Sequence, residues 1–258
     1  MTTEMLLWIA FGWLGLSVGS FLNVCIHRLP RGASVVHPPS RCPACDYRLR
    51  WYDNVPVLSY VWLRGRCRLC RAPISIRYPI IELVTLVVFL VHLAVFDWTL
   101  LMAVRLVFAC ALIVLFSIDL EHHLLPNAIT LPGIVAGLLA NLVVPPGLIE
   151  ALLGTLLGGG ALWLIGEAYY RYAGQEGMGG GDVKMLAMIG AFLGWKLVLV
   201  TLMLSSVAGS VIGMLVIAIR RGGMKYALPY GTFLALGALF ASIAGDQLVA
   251  WYMGLYDY

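Results

Sequence analysis

The sequence predicts an all-α polytopic membrane protein of about eight transmembrane helices, with a small four-cysteine cytoplasmic domain between the first and second. Three observations predict it. Of the 258 residues, 61% are hydrophobic and only 12% are charged, against about half and about a quarter in a soluble domain. The apolar residues fall in runs that approach the roughly 20 residues a helix needs to cross a bilayer. The basic residues lie between those runs and mostly on one side of them.

The first span covers about 4–26, within a first segment 1–27. Its start, Met1-Thr2-Thr3-Glu4, lacks the basic opening of a secretory signal, so this span is expected to be retained. Residues 28–78 form a polar loop in which ten arginines, from Arg28 to Arg77, face only Asp46 and Asp53. The positive-inside rule places that loop in the cytoplasm and the N-terminus outside. The segment 79–258 holds the remaining spans, at about 79–96, 100–118, 128–144, 148–169, 183–195, 197–219 and 231–253. Val144-Pro145-Pro146-Gly147 and Leu228-Pro229-Tyr230-Gly231 mark two of the joints. The span at 183–195 is short enough to be tilted or partly re-entrant. Alternation then puts Arg171, Lys184, Arg220, Arg221 and Lys225 in the cytoplasm, Lys196 outside, Arg105 within a span and the C-terminus outside. The net charge of +4 therefore reflects topology and contact with the anionic headgroups of the lipid bilayer. It is no argument for a nucleic-acid partner.

Within the loop stand Arg41-Cys42-Pro43-Ala44-Cys45 and Arg66-Cys67-Arg68-Leu69-Cys70. Two Cys-x-x-Cys knuckles allow four thiolates to close a tetrahedron around one soft cation, usually zinc, leaving no open position for water. Such a site is structural, and a loop this size needs a staple because it buries little core. Two disulfides or four thiols are the alternatives, and a cytoplasmic location disfavours the disulfides. Cys25 and Cys110 lie in spans, as small packing residues. The stretch from Trp51 to Tyr60 is either a ribbon hairpin resting on headgroups or a surface for a small polar ligand or a peptide terminus.

Two acids stand at the cytoplasmic ends of spans: Asp119 in Ser117-Ile118-Asp119-Leu120-Glu121, and Asp182 behind Gly179-Gly180-Gly181. A carboxylate at a bilayer edge is costly and marks function. Two held close cannot both ionise easily, so one keeps a proton while the other acts as base toward water. That pair hydrolyses an amide without metal. An ion pathway or a helix-terminus role is the alternative. Gly179 and Gly181 remove side chains where the backbone must pass close to a neighbour or to a substrate strand, and Lys184 is placed to tune the pair. Glu82, on the same side, is expected to cap its helix or contact substrate.

These segments together resemble the type IV prepilin peptidases. The likeness runs from Gly19 to Pro30, through both knuckles, Trp51 to Tyr60, Ile76 to Pro79 and Ile118 to Pro126, to Gly177-Met178-Gly179-Gly180-Gly181-Asp182-Val183-Lys184. The resemblance implies an aspartic protease of the Gly-x-Gly-Asp membrane class in the bacterial inner membrane, with Asp119 and Asp182 as its dyad. It implies prepilin or type II secretion pseudopilin substrates, cut after a glycine. It implies that S-adenosylmethionine then methylates the new N-terminus, the large cysteine loop marking the bifunctional members. No pattern locates the methyl-donor site; the loop is the candidate by elimination. The family often has Asp after the proline where this chain has Pro126-Asn127, which reads as a helix cap. A protease without methyl transfer, and a transporter or scaffold with a zinc knob, are the rival readings.

Overall fold

A computed structural model describes residues 2–174, 179–220 and 229–254. Gly177 and Met178 of the glycine-rich motif, and Arg221, Lys225 and Leu228 of the topology argument, lie outside the described residues. The chain divides into an N-terminal unit, Met1–Met102, and a C-terminal unit, Ala103–Tyr258.

In the N-terminal unit α1 (Thr3–Arg28) packs along α3 (Arg77–Phe96). Gly12, Gly15 and Gly19 line the α1 side of this seam, and a Cβ at Gly19 would lie only 2.7 Å from the Glu82 backbone. Lipid tails are as apolar as leucine, so helices in a membrane associate through such close backbone approach and through buried polar bonds. Asn23 supplies one, donating to the Tyr78 carbonyl at 3.0 Å. Between the helices the loop forms a 3-10 turn, Trp51–Asp53, and a short α2 (Leu58–Trp62). Each knuckle makes a single antiparallel bridge, Arg41 with Arg48 and Arg66 with Pro73. No ribbon of strands forms among the described residues.

The C-terminal unit begins inside α4 (Leu100–His122) and continues with α5 (Asn127–Ala140), α6 (Leu148–Ala173), α7 (Gly180–Arg220) and α8 (Tyr230–Gly254). Each of the eight expected segments is helical over most of its length. The spans expected at 183–195 and 197–219 form one run, α7, broken at Gly194 (φ 77°, ψ 174°), a conformation that glycine adopts without penalty. Among the described residues six helices, α1, α3, α4, α6, α7 and α8, are long and apolar enough to cross a membrane. The expected span at 128–144 gives only the 14-residue α5. It stops at Ala140 because the Asn141 amide turns back onto the Gly137 carbonyl (2.9 Å) and across to the Ala191 carbonyl (2.8 Å).

The first half of α7 is the centre of this unit. Met185, Leu186, Met188 and Ile189 are each 0% exposed, the all-round burial of a central helix. α5, α6 and α8 pack against α7, and Phe192 stacks on Phe108 of α4 with centroids 4.7 Å apart. The closest approach is α6 on α7, where a Cβ at Gly190 would lie 2.1 Å from the Gly154 carbonyl oxygen. Backbone cannot yield as a side chain does. Gly190→Leu should therefore destabilise the unit by at least about 3 kcal/mol, seen as a lower melting temperature in detergent.

Candidate active site and metal centre

Asp119 lies one turn from the end of α4 and is buried. Its Oδ2 accepts the Thr232 backbone N–H at 2.8 Å. That N–H belongs to the first turn of α8, where backbone donors have no partner within the helix and the helix dipole favours negative charge. The Thr232 hydroxyl donates to the Pro229 carbonyl at 2.6 Å, which fixes the turn. A Cβ at Gly231 would sit 2.8 Å from the same Asp119 oxygen, so glycine there leaves the carboxylate its place.

Asp182 is in the first turn of α7 and half-buried; its N–H donates to the Gly179 carbonyl at 3.1 Å. A Cβ at Gly179 would lie 3.5 Å from Asp182 Oδ2, one at Gly180 would meet open space, and one at Gly181 would press on Leu125 at 3.1 Å. Leu125 also lies 3.0 Å from a Cβ built on Gly231. One leucine thus lies between the glycine beside Asp182 and the glycine beside Asp119. The fold brings the two expected residues together.

Lys184 donates to Asn127 Oδ1 at 3.0 Å. This corrects the reading of Asn127 as a cap: the N-cap position of α5 is Pro126, and Asn127 is the first helical residue, its side chain turned to Lys184. Glu82 does not cap α3 either. It lies inside the helix, and its Oε2 accepts the Val57 N–H of the loop at 2.8 Å.

The four loop cysteines come together. Their sulfurs all lie within 4.8 Å of one another, with Cys42 to Cys70 at 3.8 Å and Cys45 to Cys67 at 3.9 Å. A tetrahedral zinc with Zn–S bonds of about 2.3 Å sets sulfurs about 3.8 Å apart, so the donor set fits such an ion. The knuckles are built alike: Cys42 N–H donates to the Tyr47 carbonyl at 2.9 Å and Cys67 N–H to the Ala72 carbonyl at 2.8 Å. The N–H groups of Cys70 and Leu69 pull the Cys67 thiol down to about 7. The Tyr47 backbone lowers the Cys45 thiol, but burial and the neighbouring thiols outweigh it and push that group up to about 12. Four such sulfurs ionise together only around a cation.

Asp53 ties the knuckles to each other. Its carboxylate is 1% exposed and accepts Arg68 Nε at 2.6 Å, the Tyr47 hydroxyl at 3.2 Å and the Arg50 N–H at 3.3 Å. Burial alone would raise its pKa, but Arg68, the Arg50 N–H and Tyr47 hold it below the ordinary 3.8. Its contribution is thus complete above the ordinary value and lost as pH falls through the lowered one. Asp53→Asn should remove that acid step and loosen the loop at neutral pH, read as about tenfold faster metal extraction by a chelator and faster amide exchange over 47–53.

Sequence reasoning missed Thr232, Gly231 and Leu125 at the aspartates. Leu228-Pro229-Tyr230-Gly231 signals only a joint, and no spacing rule says which carboxylate a helix start will meet. It also missed Asp53, whose role rests on three partners scattered along the loop.

Two families match the chain: the bacterial peptidase A24 N-terminal domain over residues 13–96 and the type IV leader peptidase family over residues 106–214. A prepilin leader peptidase/N-methyltransferase of Myxococcus xanthus is 42% identical, over 82% of this chain and 64% of the relative. Proteins of the same description from Aeromonas hydrophila and Stutzerimonas stutzeri are 38% and 36% identical, over 92% and 93% of this chain and 91% of each relative. No solved structure matches. With more than a third of its residues shared over nearly the full length of such relatives, this chain belongs to the type IV leader peptidase family.

Proposed function

We propose that this chain is a membrane aspartic endopeptidase and N-methyltransferase. It removes the basic leader from prepilins or type II secretion pseudopilins after a glycine, then methylates the new N-terminal residue with S-adenosylmethionine. The observation that carries the peptidase reading is the pairing of Asp119, held by Thr232, with Asp182 beside a glycine-lined approach. The shared description of the relatives supports methyl transfer.

In this reading the substrate's apolar helix docks among the spans and its leader stays at the cytoplasmic headgroups. Gly179 leaves room beside Asp182 for an extended backbone, Gly181 lets the chain pass close to Leu125, and Lys184 lies two residues from Asp182 to tune it. One carboxylate takes a proton from water, the water attacks the carbonyl, and the other acid protonates the leaving amine. The dyad titrates as a unit. Residues 1–27 and 79–258 form the membrane part, with 79–258 the peptidase, and 28–78 are the zinc-stapled region that serves methyl transfer. The protein spans the bacterial inner membrane with both aspartates on the cytoplasmic side and both termini outside.

Incubating the reconstituted protein with a prepilin and sequencing the product tests the peptidase half. A product that begins immediately after the leader glycine is expected. An intact prepilin, with the protein folded and metal-loaded, would contradict it.

A further inference from the structure

Beside the α1–α3 seam the N-terminal unit buries a carboxylate and a carbonyl oxygen for which, among the described residues of the unit, no counter-charge and no donor is seen. We propose that Glu82 and Asn23 form the site that receives the free N-terminal amine of the cleaved substrate, with Glu82 taking the proton the amine must lose before methyl transfer. This rests on the reading that the chain methylates that amine.

Glu82 is 7% exposed. Its Oε2 accepts the Val57 N–H at 2.8 Å. Among the described residues of this unit no lysine or arginine pairs with it. A carboxylate accepts about four hydrogen bonds, so acceptor capacity remains, and a buried carboxylate lacking a cation is costly. A cationic ligand would complete it.

Asn23 is 2% exposed. Its amide nitrogen donates to the Tyr78 carbonyl at 3.0 Å and the Gly19 carbonyl at 3.3 Å, and its Oδ1 is buried without a partner. The seam brings these groups together. Gly19 abuts the Glu82 backbone, Asn23 lies one turn beyond Gly19, and Tyr78 lies one turn before Glu82. Asn23 and Glu82 therefore stand about one helical turn apart along the same seam. An N-terminal ammonium has three N–H donors, and the Glu82 carboxylate and Asn23 Oδ1 offer it acceptors.

The loop fixes the carboxylate from the other side. Val57 has φ 58° and ψ −50°, and the Leu58 N–H returns to the Pro56 carbonyl at 2.5 Å. This is a γ-turn with positive φ, a strained form for a β-branched residue, and such strain gathers at working sites. Glu82 is the side chain that holds it.

In the reaction the ammonium gives one proton to the Glu82 carboxylate. The freed lone pair attacks the methyl carbon of the sulfonium donor, the carbon–sulfur bond breaks, and its electron pair stays on sulfur as a thioether. The product leaves as an N-methyl ammonium, and Glu82 returns its proton to water.

The test uses the full-length, metal-loaded protein and two probes: an intact prepilin, and a synthetic peptide that begins at the mature N-terminus with a free amine. Glu82→Gln keeps an acceptor for Val57 and removes the charge. Methyl transfer to the peptide should fall at least 100-fold, the loss should persist at saturating peptide, and prepilin cleavage by the same variant should stay near wild type. Glu82→Asp, which keeps the charge, should recover part of the rate. Methylation by Glu82→Gln near the wild-type rate would overturn the proposal, and so would a parallel fall of cleavage and methylation, since Glu82 would then be only structural. A wild-type protein that cleaves but never methylates would instead sink the methyltransferase reading itself.

Discussion

Asp119→Ala and Asp182→Ala are each expected to lower leader cleavage by about 10³-fold or more, the range of a lost general acid or base. The double variant should be little worse than either single one, because groups that act as a unit are not additive. Stability should separate the two. Asp119 caps the start of α8 through Thr232, so its removal leaves a backbone donor unmet and costs on the order of 1.5–3 kcal/mol. Asp182 bonds the chain through its own backbone N–H, which alanine retains, and its loss should leave the melting temperature nearly unchanged. Asp119→Asn keeps an acceptor for Thr232 and should restore stability without restoring cleavage. Initial rates and melting temperatures on the four proteins check all of this. A single variant that cleaves at wild-type rate would end the dyad assignment.

Cys42→Ser and Cys67→Ser should each strip the metal from the protein. Structural zinc contributes on the order of 10 kcal/mol to small domains that cannot bury a core, and of the four cysteines that would hold it Cys42 and Cys67 are the buried ones. Without the ion each knuckle keeps its own backbone turns and a single bridge, and Asp53 remains to tie one to the other. Methyl transfer should fall at least tenfold, while cleavage, placed in the C-terminal unit, should change less. Elemental analysis with separate assays of the two products measures this. Equal loss of both activities would contradict the division of labour.

Much of this was legible in the chain because it rests on patterns a bilayer enforces. The apolar runs and the Cys-x-x-Cys spacing each follow from one strong constraint, and among the described residues the six long helices and the sulfur cluster agree with them. The Gly-x-Gly-Asp run and Asp119 were visible as acids at the ends of spans. What was not legible depends on how distant segments meet. The break at Gly194 looks in sequence like a loop between two spans, since glycine, tryptophan and lysine also punctuate real joints. Asn127 looks like a cap because asparagine is a preferred N-cap residue, and the structure instead puts Pro126 at that position and bonds Asn127 to Lys184. Glu82 and Asn23 are ordinary polar residues until α1 and α3 are packed, when both become buried.

The most direct measurement is the mass of a prepilin after incubation with the purified protein and S-adenosylmethionine, beside an Asp182→Ala control. Loss of the leader and gain of one methyl group, both absent in the control, is the expected result. A prepilin of unchanged mass, despite folded protein with bound metal, would contradict the account.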